Sequence, residues 1–268
     1  MTLVTRRTLR ESVQIAGLGL HTGVPVTLRV HPGEEGLQFR FGSSRVAAHP
    51  ANVTDTTRST KLGEIGTVEH LMSALAGLEV TDAEIEVDAP EIPGMDGSAL
   101  PFFALMSSAG LVEIGSRELP SVYSRIFIQE DSGLKAAIAK GDGHLRYVYA
   151  TGDRWPGEQS FEVANALEVY GEQIAPARTF ALSEEIPMIL QAGLAKGLDE
   201  SSALILGPEG YENQARFLDE PARHKMLDLM GDLYLSGVPI RALSVVAEKT
   251  GHRANVKLAA MLVKATQP

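Results

Sequence analysis

Apolar and polar residues alternate along the first sixty residues, and glycines and prolines separate the alternating segments. VPVTLRVHPG and GLQFRFG have the β-forming side chains and the two-residue period of strands. From residue 67, TVEHLMSALAGL instead repeats its apolar positions every three to four residues, which predicts a helix with Thr67 as its N-cap. A half-buried strand (DAEIEVDAP), a loop (PEIPGMDGSALPF) and a short helix (PFFALMSSAGL) follow.

A similar order of elements returns after the polar stretch GSRELPS, residues 115–121, which is the expected domain boundary. Strand-like segments (RIFIQE, KAAIAK, LRYVYA) precede a short helix (EEIPMILQAGL), a longer helix (residues 220–235), a strand (IRALSVVAE) and a last helix. A shift of 154 positions pairs identical residues of the two parts: His70 with His224, Met72 with Met226, Leu75 with Leu229, Gly77 with Gly231 and Gly97 with Gly251.

This repeat predicts an α+β protein of two similar domains, residues 1–117 and 118–268. We expect each domain to be an antiparallel sheet with helices on one face, because that arrangement covers the apolar side of such a sheet. We further expect the two domains to pack face to face, with the active site between them.

The helix at residues 220–235 carries unusual polar residues. At about 100° per residue, His224, Lys225, Asp228 and Asp232 lie within one arc, while methionines and leucines occupy the rest of the surface. A histidine and an aspartate four residues apart can ligate one metal ion from a single helical face. The alternative interpretation is the solvated face of an amphipathic helix.

His70 would complete a set of three ligands with His224 and Asp228, the number that a catalytic zinc uses when it keeps one position for water. Glu69 follows as a candidate base for that water, although a first-turn acid also stabilises the helix dipole. His252, in KTGHRAN, is either a surface or capping histidine or a general acid.

Asp232 is suited to keep His252 protonated, because a nearby carboxylate raises the pKa of a histidine. Ser98 occupies the position that matches His252 in the first repeat. One active site built from two copies is therefore expected. His21, in the glycine-rich stretch GLGLHTG, belongs either to a simple hairpin turn or to a binding turn.

Composition narrows the class of protein. The chain of 268 residues has no cysteine, so a metal must be held by histidine and carboxylate. A net charge of −10 argues against nucleic acid or an anionic membrane surface as a partner. No apolar run reaches the ~18 residues of a membrane span, and the first residues have no signal-peptide pattern. We expect a cytoplasmic monomer that acts on a small molecule.

Six stretches occur in a fixed order between residues 17 and 258: GLGLHTG, TVEHLMSALAGL, APEIPGMDGSALPF, ARTF, RFLDEPARHKMLDLMGDLYLSG and GHRANVKL. Together they resemble the zinc-dependent UDP-3-O-acyl-N-acetylglucosamine deacetylases of lipid A biosynthesis. The resemblance implies two α+β domains packed face to face. It also implies hydrolysis of the N-acetyl group of UDP-3-O-(3-hydroxyacyl)-N-acetylglucosamine to acetate and a free amine. Zn²⁺ is the implied cofactor, and Fe²⁺ suits the same ligands.

The resemblance assigns a role to each candidate residue: His70, His224 and Asp228 as zinc ligands, Glu69 as the base, His252 as the acid held by Asp232, Thr179 as the oxyanion donor, and Lys225 as a contact to the substrate diphosphate. It places an acyl-passage insert at residues 180–203 in the second domain, with Leu182, Ile186 and Ile189 as candidate lining residues. The segment LDESSALIL departs from the family pattern, because it brings Asp199 and Glu200 into this region. Alternatives are a same-fold amidohydrolase or a non-catalytic binder for a different acylated nucleotide sugar.

Overall fold

The computed structural model describes residues 2–119, 122 and 124–266. The strands in this part are β1 (Thr2–Leu9), β2 (Val13–Leu18), β3 (Pro25–Pro32), β4 (Leu37–Phe41), β5 (Ser44–Ala47), β6 (Val53–Asp55), β7 (Lys61–Leu62), β8 (Ala83–Val87), β9 (Leu111–Leu119), β10 (Ile126–Gln129), β11 (Lys135–Lys140), β12 (Leu145–Ala150), β13 (Glu158–Val163), β14 (Phe180–Leu182), β15 (Leu204–Leu206) and β16 (Leu243–Glu248). The α-helices are α1 (Glu69–Gly77), α2 (Leu100–Ser108), α3 (Ala166–Val169), α4 (Ile186–Gln191), α5 (Glu220–Tyr234) and α6 (His252–Ala265). Short 3-10 helices lie at Pro50–Asn52, Ser183–Glu185 and Ile240–Ala242, and a π-helical turn lies at Tyr170–Ile174.

Two five-stranded sheets have the same topology. Their strand orders are β2-β3-β8-β4-β5 and β10-β11-β16-β12-β13. The predicted α+β fold of two similar units is therefore confirmed, with one refinement to the sheets. The middle strand of each, β8 or β16, pairs antiparallel with one neighbour and parallel with the other. The parallel pair arises because the chain returns to the sheet through a helix, α1 or α5, which is the connection that parallel strands require.

The two units meet through their helices. α1 packs on α5, and α5 also packs on β12, β13 and α6. Alternating residues of β3 and β8 are buried, and the buried apolar residues of both units form one continuous cluster. Gly231 of α5 permits this contact, because a Cβ atom there would lie 2.1 Å from the carbonyl oxygen of Glu69.

The start of α1 differs from the prediction. Val68 is the N-cap residue, and it makes no side-chain capping bond. Thr67 has φ of +58°, and its hydroxyl donates to Oε1 of the buried Glu91 at 2.9 Å. The predicted N-cap at Thr67 is therefore wrong, because the Thr67 hydroxyl donates its hydrogen bond to a carboxylate distant in sequence and not to the start of α1.

The expected boundary stretch lies largely within a strand. β9 pairs antiparallel with β1, so the end of the first unit is joined to the start of the chain. The limit at residue 117 falls inside β9, while residues 120 and 121 lie outside the described residues. Division of the chain at that residue stays a prediction. No helix in the described part has the length and apolar character needed to cross a membrane.

Candidate active site

A cluster of potential metal ligands lies where α1 meets α5. His70 comes from α1, and His224 and Asp228 come from successive turns of α5. One ligand atom from each lies within 4.8 Å of the others. Oδ1 of Asp228 is 3.7 Å from Nε2 of His70 and 3.5 Å from Nε2 of His224. The structure therefore brings together the three residues that the sequence proposed as ligands.

The donor atoms of this cluster fit a divalent cation such as Zn²⁺ or Fe²⁺. Nδ1 of His224 lies 3.0 Å from the carbonyl oxygen of Ala177, which orients Nε2 toward Asp228. Oδ1 of Asp228 is buried and has no hydrogen-bond partner among the described residues. Burial and the neighbouring His224 lower the pKa of His70 to about 3, so His70 is a neutral imidazole at pH 7. Two neutral imidazoles and one carboxylate form a ligand set that suits both metals.

The polar arc of α5 is buried rather than solvated. His224, Asp228 and Asp232 have relative exposures of 2%, 2% and 0%. The alternative of a solvated amphipathic face is therefore wrong for this helix. α5 is covered on several sides at once, because α1 and α6 pack on it as well as its own sheet. Polar groups that are buried this deeply need specific partners.

Glu69 is the first residue of α1, and its carboxylate faces the cluster. Its Oε2 accepts the backbone N–H of Thr60 at 2.9 Å, and its Oε1 lies 4.0 Å from Nε2 of His252. Burial raises the pKa of Glu69 to about 8. A carboxyl group whose pKa lies near neutrality is suited to accept and return a proton.

His252 is the first residue of α6, and its imidazole is a neighbour of the Glu69 carboxylate. Its Nδ1 lies 3.0 Å from Oδ2 of Asp232, and its side chain is only 10% exposed, which excludes the alternative of a surface histidine. Burial alone would lower the pKa of His252, but Asp232 and Glu69 outweigh it and raise the pKa to about 9. The imidazole is therefore protonated at neutral pH.

Sequence reasoning missed two partners of Asp232. Thr60 donates its hydroxyl to Oδ1 at 2.6 Å, and Asn255 donates its amide to Oδ2 at 3.0 Å. Asn255 lies one helical turn after His252 in GHRAN, so helical spacing offered a signal for it. The segment TRSTKLG around Thr60 carries no recognisable pattern.

Thr179 and Lys225 lie at the rim of the cluster. The N–H of Thr179 donates to the carbonyl oxygen of Gly97 at 2.8 Å, and its hydroxyl forms no hydrogen bond within the described residues. Nζ of Lys225 donates to Oδ2 of Asp228 at 2.8 Å and lies 5.4 Å from the ring centre of Phe180. Burial acts to lower the pKa of Lys225, but the adjacent Asp228 carboxylate acts more strongly in the other direction. The net effect is a raised pKa, so the ammonium group is charged.

Two cavities open side by side at this site. A polar cavity of about 140 Å³ contains the ligand cluster, and an apolar cavity of about 280 Å³ lies beside it. Both cavities share these lining residues: Leu20, His21, Arg58, Thr179 and Phe180. The turn that carries His21 therefore belongs to the site as well as to a hairpin. Its backbone is held by Glu91, whose Oε1 accepts the N–H of His21 at 2.7 Å.

The apolar cavity is formed by the predicted insert. α4 and the loop after it lie between β14 and β15, which pair in parallel. Ile186 and Ile189 line the cavity, whereas Leu182 does not. Asp199 and Glu200 also line it. Oδ1 of Asp199 accepts hydrogen bonds from the residues that follow it, including the Ser201 hydroxyl at 2.7 Å, and these bonds lower its pKa to about 2.

Comparison with known proteins shows the family of the chain. The family model described as "LpxC: UDP-3-O-acyl N-acetylglycosamine deacetylase" matches residues 6–264. The chain belongs to this family. A UDP-3-O-acyl-N-acetylglucosamine deacetylase of Nostoc sp. is 38% identical over 95% of this chain and 96% of its own length. Proteins of the same name from Leptospira biflexa and Chromobacterium violaceum are each 34% identical, over 96% and 98% of this chain and 89% and 91% of their own lengths.

Proposed function

We propose that this family member hydrolyses the N-acetyl group of UDP-3-O-(3-hydroxyacyl)-N-acetylglucosamine in lipid A biosynthesis. One observation carries the proposal: a buried cluster of two histidines and an aspartate lies beside a carboxyl group and a protonated imidazole. The names of the relatives support the choice of substrate. The cavity beside the ligand cluster is apolar, as a binding site for an acyl chain has to be.

His70, His224 and Asp228 would hold the metal, with Zn²⁺ as the first candidate and Fe²⁺ as the second. A bound divalent cation polarises a carbonyl oxygen and lowers the pKa of water. The orientation of His224 by the carbonyl oxygen of Ala177 and the ion pair between Lys225 and Asp228 would fix two of the three ligands.

Glu69 and His252 would move the protons of the reaction. Glu69 takes a proton from the attacking water as the bond between the water oxygen and the acetyl carbon forms. His252 gives its proton to the amide nitrogen as the carbon–nitrogen bond breaks, which releases acetate and a free amine. Thr179 is proposed to donate its hydroxyl to the tetrahedral oxyanion, and Lys225 to contact the substrate diphosphate.

The acyl chain would lie in the cavity lined by Ile186 and Ile189. Asp199 and Glu200 favour a second candidate, in which the same hydrolysis is directed to a different acylated nucleotide sugar. Carboxylates in the lining are costly beside a fully apolar chain, because they would lose hydration. We further propose a cytoplasmic monomer without a nucleic-acid partner, in keeping with the net charge of −10.

The test combines metal content with turnover. We expect about one zinc or iron per chain, and acetate release from UDP-3-O-(3-hydroxymyristoyl)-N-acetylglucosamine that a chelator abolishes. His224→Ala should lose metal and activity together. His31→Ala is the matched control, since the His31 side chain hydrogen-bonds to Ser12 and does not belong to the ligand cluster, so metal and activity should both be unchanged. Bound metal without acetate release would favour another acyl sugar or a binding role, and a metal-free active protein would refute the ligand assignment.

A further inference from the structure

Thr60 is a fully buried residue whose three polar groups are all engaged. Its N–H donates to Oε2 of Glu69 at 2.9 Å, and its hydroxyl donates to Oδ1 of Asp232 at 2.6 Å. Its carbonyl oxygen accepts the N–H of Val68, the N-cap residue of α1, at 3.1 Å. One residue therefore contacts the candidate base, the start of the helix that carries it, and the carboxylate that holds the candidate acid.

Thr60 differs in origin from the other donors to Asp232. His252 and Asn255 both lie on α6 of the second unit, and Asp232 lies on α5 of the same unit. Thr60 belongs to the first unit, just before β7. Through its hydroxyl, the first unit therefore donates a hydrogen bond to the carboxylate of the Asp232–His252 pair.

Burial strengthens the hydrogen bond between the Thr60 hydroxyl and Asp232. Asp232 and Thr60 are both fully buried, and a hydrogen bond to an ionised carboxylate is strong in such surroundings. Without the hydroxyl, Oδ1 of Asp232 would keep no donor from the described residues, and a buried carboxylate oxygen without a donor is costly. The carboxylate would be expected to rotate or shift, and the imidazole bonded to it would follow.

We propose that Thr60 is a positioning residue that holds Glu69 and the Asp232–His252 pair at a fixed separation from each other. This inference rests on the proposed function. Thr60 does not line the polar cavity, so it acts through these neighbours rather than on the substrate. The backbone N–H sets Glu69, and the side-chain hydroxyl sets Asp232. Only the second contact is removable by substitution.

The first experiment compares Thr60→Val with Thr60→Ser. Thr60→Val keeps the shape and the backbone N–H but removes the hydroxyl, so kcat should fall about 10- to 100-fold while KM stays within about twofold. Thr60→Ser should retain nearly the wild-type kcat. Thr57→Val is the matched control, because this exposed threonine of the same loop donates its hydroxyl only to Asp55. Metal content should be unchanged throughout, and Thr60→Ala replaces Thr60→Val if the latter does not fold.

A double-mutant cycle with Asp232→Asn tests the route of the effect. If Thr60 acts through Asp232, the losses in kcat should be clearly non-additive. Additive losses, or a wild-type kcat in Thr60→Val, would overturn the inference. The same cycle on the unfolding of the metal-free protein gives a readout that needs no turnover. Suppose that this cycle shows coupling between Thr60 and Asp232 in the unfolding free energy, but the wild-type protein releases no acetate. The proposed function would then be refuted, while the Thr60–Asp232 hydrogen bond would be supported.

Discussion

The two halves of the molecule share one sheet order but contribute different chemistry to the site. In the first half, α1 supplies Glu69 and His70 at its start. In the second half, the matching helix supplies His224, Asp228 and Asp232 over three turns. The two halves also differ at the helix that follows the middle strand. The first half has Ser98 just before α2, and the second half has His252 at the matching position, as the first residue of α6.

This difference shows how a repeated unit can build a single site. The shared histidine position places His70 opposite His224, with ring centres 5.0 Å apart. The remaining groups are not duplicated: the candidate base belongs to the first half, and the candidate acid with its carboxylate belongs to the second. A reaction that needs one general acid and one general base is served by this division of roles.

The largest expected effect is a difference in kcat between variants of His252 and variants of Ser98, its counterpart in the repeat. His252→Ala should keep the metal but lower kcat by about 10²- to 10⁴-fold, the usual contribution of general acid catalysis. Ser98→Ala should leave kcat near the wild-type value. Ser98 donates to Asp96 at 2.7 Å and accepts the N–H of Leu100 near the start of α2, so its loss should lower the unfolding free energy by about 1 kcal/mol.

Acetate release under saturating substrate and metal analysis of both variants check this contrast. Full activity in His252→Ala would show that another group protonates the amine. Equal losses of kcat in both variants would mean that Ser98 and His252 contribute equally to turnover, which contradicts the division of roles between the two halves.

A second effect concerns pH. A general acid must be protonated, so kcat should fall as pH rises through the pKa of His252, which lies at about 9. Asp232→Asn removes the strongest influence that raises this pKa. The basic limb of the kcat profile should therefore move from about 9 toward the ordinary histidine value of 6.5, with a loss of roughly 10- to 100-fold at the optimum.

Unfolding supplies an independent check of the same pKa. Because the folded protein raises the pKa of His252, this residue contributes stability that is fully present below pH 6.5 and is lost as pH rises through about 9. Asp232→Asn should flatten the pH dependence of the unfolding free energy across that range. An unshifted kinetic limb would assign the limb to a group other than His252.

Sequence reasoning reached the contacts within helices better than those between loops. The spacing of His224 and Asp228 follows from one helical turn, and the repeat pointed to His70. The parallel pairs of the sheets, the β1–β9 pairing and the contacts of Thr60 depend on which distant segments meet. The spacing of apolar residues within one segment does not show which distant segments pack against it. For that reason the burial of the polar arc of α5 could not be predicted from its amphipathic pattern.

The smallest expected effect on activity concerns the repeat-related glycines of α1 and α5. A Cβ atom at Gly77 would meet the ring of Tyr170 at 2.4 Å, whereas one at Gly231 would meet the backbone oxygen of Glu69 at 2.1 Å. Overpacking should cost each alanine variant about 1–3 kcal/mol of unfolding free energy, and alanine's better helix propensity should offset part of this.

The backbone of α1 cannot move aside as a side chain can, so Gly231→Ala should be the less stable variant. It should also lower kcat, because it displaces the helix that carries Glu69 and His70, while Gly77→Ala should not. Denaturant unfolding and kcat, both measured where the variants are folded, decide the point. A Gly231→Ala protein with reduced stability and normal kcat would show that the α1–α5 distance sets the stability of the interface but not the geometry of the site.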